Sequence, residues 1–312
     1  MEFHRNYNIA IDDLKDLITI IFVLIDDLYQ EIVADEIKHR LNWDKAIISD
    51  SEVITIAVIG EIMSFDSENA WVRYVGKNLR DLFPRMCERS RFNRLRRNLI
   101  SVTNQIRVAL GAKLDFTDSY YRIVDSFPLA VCEFGRARFT KLFKFEGANY
   151  GNCPSKKQTY FGYKVHALCT TNGYISDFYL SPASTDDRAA VWELIETYNR
   201  HLQLIGDKGY TGARFAEELA IEQGVLMIAL KKDNDKNSYP KPIRQQIFKI
   251  RRRIETSFSQ LNDQFNAETT RAKAVWGLLT RLQTKILAFN LCFAVNWLLG
   301  VDNIACIKSL VF

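Results

Sequence analysis

The chain has 312 residues, 47% of them hydrophobic and 25% charged, with a formal net charge of +5. That balance excludes a disordered polyelectrolyte, and the length suits one large domain or two ordinary ones. The six cysteines are scattered without a C-x-x-C pair, which argues against a zinc site or a disulfide framework and for reduced thiols in a cytoplasmic protein.

The first residues, Met1-Glu-Phe-His-Arg5, lead into acidic positions and lack a charged-then-apolar signal pattern. A membrane helix needs ~20 apolar residues. Ile18 to Ile25 is too short, and the apolar stretch before Trp297 is broken by Asn290 and Asn296. Both segments are expected to be buried helices, with no membrane partner.

Residues 9 to about 110 read as helical throughout. Ile11, Leu14, Leu17, Ile18, Ile21 and Ile25 recur at helical spacing. Ser49-Asp-Ser-Glu52 has the form of a capping box opening a helix through Val53, Ile56, Val58 and Ile62. Ser90 is expected to cap a further helix that carries Phe92, Leu95, Leu99 and Ile100 on its apolar side.

Ten basic residues lie between Arg73 and Arg107, against only Asp81 and Glu88. Such clustering points to a polyanion. A basic helix from near Ser90 would suit a helix-turn-helix DNA reader, with Arg89, Arg91, Arg94, Arg96 and Arg97 as candidate contacts. The plainer reading is a solvated basic face over buried aromatics.

Near Asp115 the texture changes. β-branched and alternating runs cover 121–132, 158–170 and 173–181, followed by shorter ones at 202–206 and 225–230. Asn172-Gly173 is a hairpin signal. Helices are expected over Asp187 to Arg200 and Arg214 to Gln223, then a polar loop from Lys231 to Pro242. Ile247, Ile250, Ile254, Phe258, Leu261 and Phe265 mark one face of a long basic helix, and a last helix covers about 275–299. The expected fold class is α+β: a helical region over 1–115, whose basic stretch points to DNA binding, and a second domain over 116–312.

Three acidic residues stand out in order. Asp125 lies in the strand-like run Tyr121–Phe127, Asp207 closes the apolar run from Leu202, and Glu255 lies in the long basic helix. Taken singly, either Asp also suits a turn or helix cap, and Glu255 with Arg251 suits an exposed ion pair worth only ~0.5 kcal/mol. Together they form a set of hard oxygen donors fitted to Mg²⁺ and phosphodiesters. Lys208, Arg251 and Arg252 are candidate phosphate contacts beside them. Lys164 and His166 share one face of a strand; His166 reads first as a satisfied structural histidine, and second as an accessory group near the acids. Asp186 is the rival fourth acid, although both it and Asp187 suit a helix cap.

Val124-Asp125-Ser126, Gly206-Asp207-Lys208-Gly209-Tyr210 and the helix around Glu255 resemble the three signatures of bacterial insertion-sequence DDE transposases, most of all the insertion sequence 982 family. Relatives carry a helix pattern of Tyr, two residues, Arg, three residues, Glu, six residues, Lys. This chain has Phe248, Arg251, Glu255 and Asn262 there, matching the inner pair and departing at the outer one. The resemblance implies an RNase H-like mixed sheet whose first and fourth strands are neighbours, with Asp125, Asp207 and Glu255 as catalytic metal ligands. It further implies two Mg²⁺ ions (with Mn²⁺ as a substitute), binding of terminal inverted repeats and target DNA, and a homodimer or higher oligomer associated with the nucleoid. A structure-specific nuclease of the same fold and a domesticated DNA-binding protein are the alternatives.

Overall fold

The computed structural model describes residues 11–143, 145–154, 157–196, 198, 201–231, 238–269 and 271–310. Its first half holds helices α1 (Leu14–Ile32), α2 (Asp35–Lys38), α3 (Asp50–Ile62), α4 (Glu68–Asn78), α5 (Arg89–Asn98) and α6 (Ile100–Lys113). Strands β1 (Tyr121–Ala130), β2 (Asn149–Cys153), β3 (Gln158–Cys169) and β4 (Ile175–Pro182) come next, then α7 (Asp187–Ile195), β5 (Gln203–Gly206), α8 (Ala213–Gln223) and β6 (Leu226–Ala229). Helices α9 (Lys241–Phe265) and α10 (Val275–Leu298) follow. The expected helix end from Thr197 to Arg200 and the loop part Lys232–Asn237 lie largely outside the described residues.

The chain divides into two compact units, one of residues 1–115, 264–266 and 276–312, the other of 116–263 and 267–275. The first break falls at the change of texture near Asp115. The last helix, which the sequence assigns to the C-terminal region, instead clusters with the helical unit.

In the helical unit, Ser49 and Glu52 exchange both bonds of the capping box that starts α3. Gly60 lets α4 approach α3: a Cβ there would lie 2.8 Å from the indole nitrogen of Trp71, which donates to the Ile56 carbonyl at 2.8 Å. The expected Ser90 cap is absent. Helix α5 starts at Arg89 behind Glu88, which makes no side-chain cap bond, so Ser90 falls inside the first turn. Helix α10 is long and apolar enough to cross a membrane by length and composition, but 89% of its apolar window is buried within the protein. Two of its buried polar side chains have partners in the helical unit: Lys285 donates to Glu61 at 2.6 Å and to the Phe265 carbonyl, and Gln283 donates to the Ile100 carbonyl at 2.6 Å.

In the second unit the sheet runs in the order β2-β3-β1-β5-β6, with β4 also paired to β3. Strands β1 and β3 are antiparallel, as are β3 and β4, whereas β1–β5 and β5–β6 are parallel. The expected first and fourth strands are therefore direct neighbours, and the mixed sheet with its helices is consistent with the expected RNase H-like arrangement. Gly173, at φ 101°, turns the β3–β4 hairpin where Asn172-Gly173 predicts it. Strand β2 is not expected from Asn149-Tyr-Gly-Asn-Cys153, whose Asn and Gly are poor strand formers; pairing along the first half of β3 imposes it.

Alternation along β1 sorts its two faces. Val124 packs with Leu168, Leu204 and the apolar residues of α7 and α8, including Val191 and Leu219. Ile123 turns to the opposite face, with Cys169, Ile254 and Phe258 of α9. This parity also decides which helix each polar residue of β1 meets.

Candidate active site

Asp125 shares the parity of Ile123, and so faces α9. Asp207 lies immediately after β5, and both acids stand two residues beyond the paired Ile123 and Ile205. Parallel neighbours are ~4.8 Å apart, so the register sets the two carboxylates side by side. The peptide between Gly206 and Tyr210 is shaped for this position. A Cβ on Gly206 would lie 2.8 Å from the Tyr210 ring, so only glycine lets that buried ring fold back against the strand. Asp207 caps the following turn, one oxygen accepting from the Gly209 N–H at 2.7 Å.

Burial pushes the Asp125 carboxyl up to about 7; the Ser126 N–H bond opposes this, while the charges of Asp207 and Asp187 reinforce it. Its side chain still has 21% of its surface open, enough for a ligand to reach it. Arg251, one turn before Glu255 on α9, lies with Nη1 3.4 Å from Asp125 Oδ2 and donates through Nη2 to Glu255. One guanidinium thus bridges two of the three expected acids.

Among the described residues, no three His, Cys, Asp or Glu side chains converge as a metal-ligating group. The half-exposed Glu255 is paired with Arg251. The donor chemistry nevertheless fits a hard divalent ion. Two carboxylates are already neighbours, a cation would favour the ionised form of the raised Asp125 carboxyl, and the third acid lies on a half-exposed side chain paired with Arg251.

The sequence reads both Asp186 and Asp187 as helix caps and Asp186 as the rival acid. Asp186 caps α7, accepting from the Arg188 N–H at 2.9 Å, and pairs with the Arg188 side chain. Asp187 turns to the sheet instead. Its Oδ1 accepts from Ser126 Oγ at 3.0 Å and from Lys164 Nζ at 3.1 Å. His166 is fully buried, with Nε2 2.9 Å from Ser181 Oγ, and Nδ1 3.5 Å from Asp187 without a hydrogen bond. Burial lowers its pKa to about 4, keeping the ring neutral near pH 7. The cross-strand pairs Ser126–His166 and Pro128–Lys164 put these groups on the α7 face. That register was the missing signal, since the sequence does not show which strand pairs with β1.

Lys208 lines a cavity of about 450 Å³ beside Asp207, together with Lys241, Arg244, Phe248 and Arg251. Arg252 is exposed, its guanidinium 6.0 Å from the Phe248 ring.

In the helical unit, Arg89, Arg91 and Arg94 are exposed, and Arg89 lies 3.9 Å from Glu68. Arg97 is half-buried over the Trp276 ring at 5.2 Å. Arg96 departs from its expected role. It is buried, 3.2 Å from Glu61 and 3.7 Å from Glu68, an interior ion pair that cannot reach DNA as folded. The helix-turn-helix expectation also fails on geometry: α4 and α5 are separated by Leu79–Glu88, far longer than a three- or four-residue turn, and α5 runs into α6 through Leu99 alone.

The family model described as a transposase DDE domain matches residues 117–291, more than half of the chain and including all three acids. No curated protein matches the sequence.

Proposed function

We propose, from the premise that this chain belongs to the transposase DDE-domain family, that it cuts the ends of a mobile DNA element and joins the freed 3′-hydroxyl to target DNA. The observation that carries this reading is the adjacency of Asp125 and Asp207 at the ends of parallel strands, with Glu255 tied toward Asp125 by Arg251. The fraying at Phe248 and Asn262 leaves the finer likeness to the insertion sequence 982 family resting on the signatures around the acids.

Asp125, Asp207 and Glu255 would hold two Mg²⁺ ions, which supply Lewis-acid stabilisation of the attacking and leaving oxygens when bound. The protein's own groups position the strand. Lys208 and Arg252 neutralise phosphate oxygens, and Arg251 leaves its bridge to pair with a phosphate as the carboxylates close. Exposed Arg89, Arg91 and Arg94 track the backbone of the terminal repeat. Two ends must be joined in one event, so the working form is an oligomer.

The test is cleavage and strand joining on duplexes carrying the element's terminal repeats, with Mg²⁺ or Mn²⁺. The expected result is 3′-hydroxyl ends that become joined to a second duplex, and a loss of ~10³-fold or more for Asp207→Asn. Unchanged cleavage by that variant would sink the assignment. Cleavage without joining would instead identify a nuclease of this fold.

A further inference from the structure

The connection from β1 to β2, described over residues 131–143 and 145–148, carries large aromatic side chains that the fold leaves in water. Phe139 and Phe145 are 84% and 93% exposed, and Phe134 is 51% exposed. Basic residues alternate with them: Arg136 and Arg138 lie between Phe134 and Phe139, and Lys141 lies beyond, all exposed. None of these cations makes an ion pair among the described residues.

The segment is a built surface, because its alternate positions are anchored. Phe143 is buried at φ 62°, with its ring 6.0 Å from Tyr163, and the Tyr163 hydroxyl donates to the Glu146 carbonyl at 2.9 Å. Ala137 is buried as well, and the N–H groups of Arg136, Phe139 and Thr140 bond within the turn. At the entry, the Val131 N–H donates to the Phe161 carbonyl at 3.0 Å. The inward plugs hold the outward rings on a fixed frame.

We infer that this loop is a platform for unpaired bases of the DNA substrate, with Phe139 and Phe145 stacking on bases and Arg136, Arg138 and Lys141 holding the intervening phosphates. The inference rests on the DNA-processing role proposed above. Aromatic faces interleaved with cations match a single strand, in which every base offers a stacking face and every link a charge. A second copy of the same patch fits poorly, because a two-fold contact would set like-charged arginines against each other. The placement suits the role: the loop leaves β1 five residues after Asp125, about 17 Å along an extended strand, or about five nucleotide steps.

The test uses the full-length protein in EDTA, so that binding is read without cleavage. Fluorescence anisotropy would compare a blunt duplex, the same duplex with a single-stranded 3′ overhang, and an oligothymidylate. The parent is expected to prefer the overhang, and Phe139→Ala with Phe145→Ala to weaken overhang and oligothymidylate binding at least about fivefold per ring. Blunt-duplex affinity should stay unchanged, and Phe139→Tyr with Phe145→Trp should retain the overhang preference. Equal overhang binding by the double alanine variant overturns the platform, as does a parent dimer that the variant converts to monomer. If the parent binds no DNA of any form, the proposed function fails with it; if it binds blunt duplex alone, only the platform fails.

Discussion

Arg251 stands across from Asp125, its Nη1 3.4 Å from Oδ2, while its other terminal nitrogen donates to Glu255. The guanidinium is itself a cation between two carboxylates, so it competes with any divalent ion for them. At an effective dielectric constant of about 20, a unit charge ~4 Å away is worth up to ~4 kcal/mol. Arg251→Gln is therefore expected to raise Mn²⁺ affinity of the DNA-free protein by about tenfold, read by calorimetry, while lowering DNA cleavage. An unchanged or weaker Mn²⁺ affinity would show that the bridge does not compete for the acids.

The raised Asp125 carboxyl makes a pH prediction with a definite sign. The folded protein holds this proton more tightly than the unfolded chain, because the pKa rises from 3.8 to about 7. Its stabilising contribution is complete below pH ~4 and is lost as pH rises through about 7. Without divalent ions, the Tm is expected to fall between about pH 4 and 7, and Asp125→Asn to flatten that slope. Divalent-ion affinity should rise over the same window as the proton is displaced. A Tm profile identical in parent and variant would remove Asp125 as its source.

Asp187 binds Lys164 and Ser126 from the opposite face of the sheet. Asp187→Ala leaves the mostly buried Lys164 ammonium with the Thr185 carbonyl at 2.9 Å but without its carboxylate, an expected destabilisation of ~1–3 kcal/mol, measured by urea unfolding. Asp187→Asn keeps an acceptor for both donors and should recover most of that loss. If both variants unfold like the parent, the cluster contributes nothing to the fold.

Two neighbouring arginines of α5 separate architecture from surface. Arg96→Ala leaves Glu61 with Lys285, and Glu68 with Asn93 and the more distant Arg89, an expected loss of ~1–3 kcal/mol. Arg94→Ala should leave the Tm unchanged and weaken duplex binding, with a shallower salt dependence. Equal thermal shifts in the two would contradict their different burial.

What the linear chain determines is local. Helical periodicity places α1, α3 and α9, and the Ser49–Glu52 pattern announces its own cap because both partners lie within one turn. Strands β1, β3, β4, β5 and β6 are legible within a few residues, as are the positions of Asp125 in a strand, Asp207 just past a strand and Glu255 in a helix. Tertiary structure alone decides what depends on pairing and burial. It makes a strand of β2, assigns α10 to the helical unit, and commits Arg96 to the interior while leaving Arg94 in water. It also turns Asp187, not Asp186, toward the sheet and sets Arg251 between two acids. Spacing along the chain fixes which residues share an element; which carboxylates share a charge depends on register and helix placement, and these are set by contacts between residues far apart in sequence.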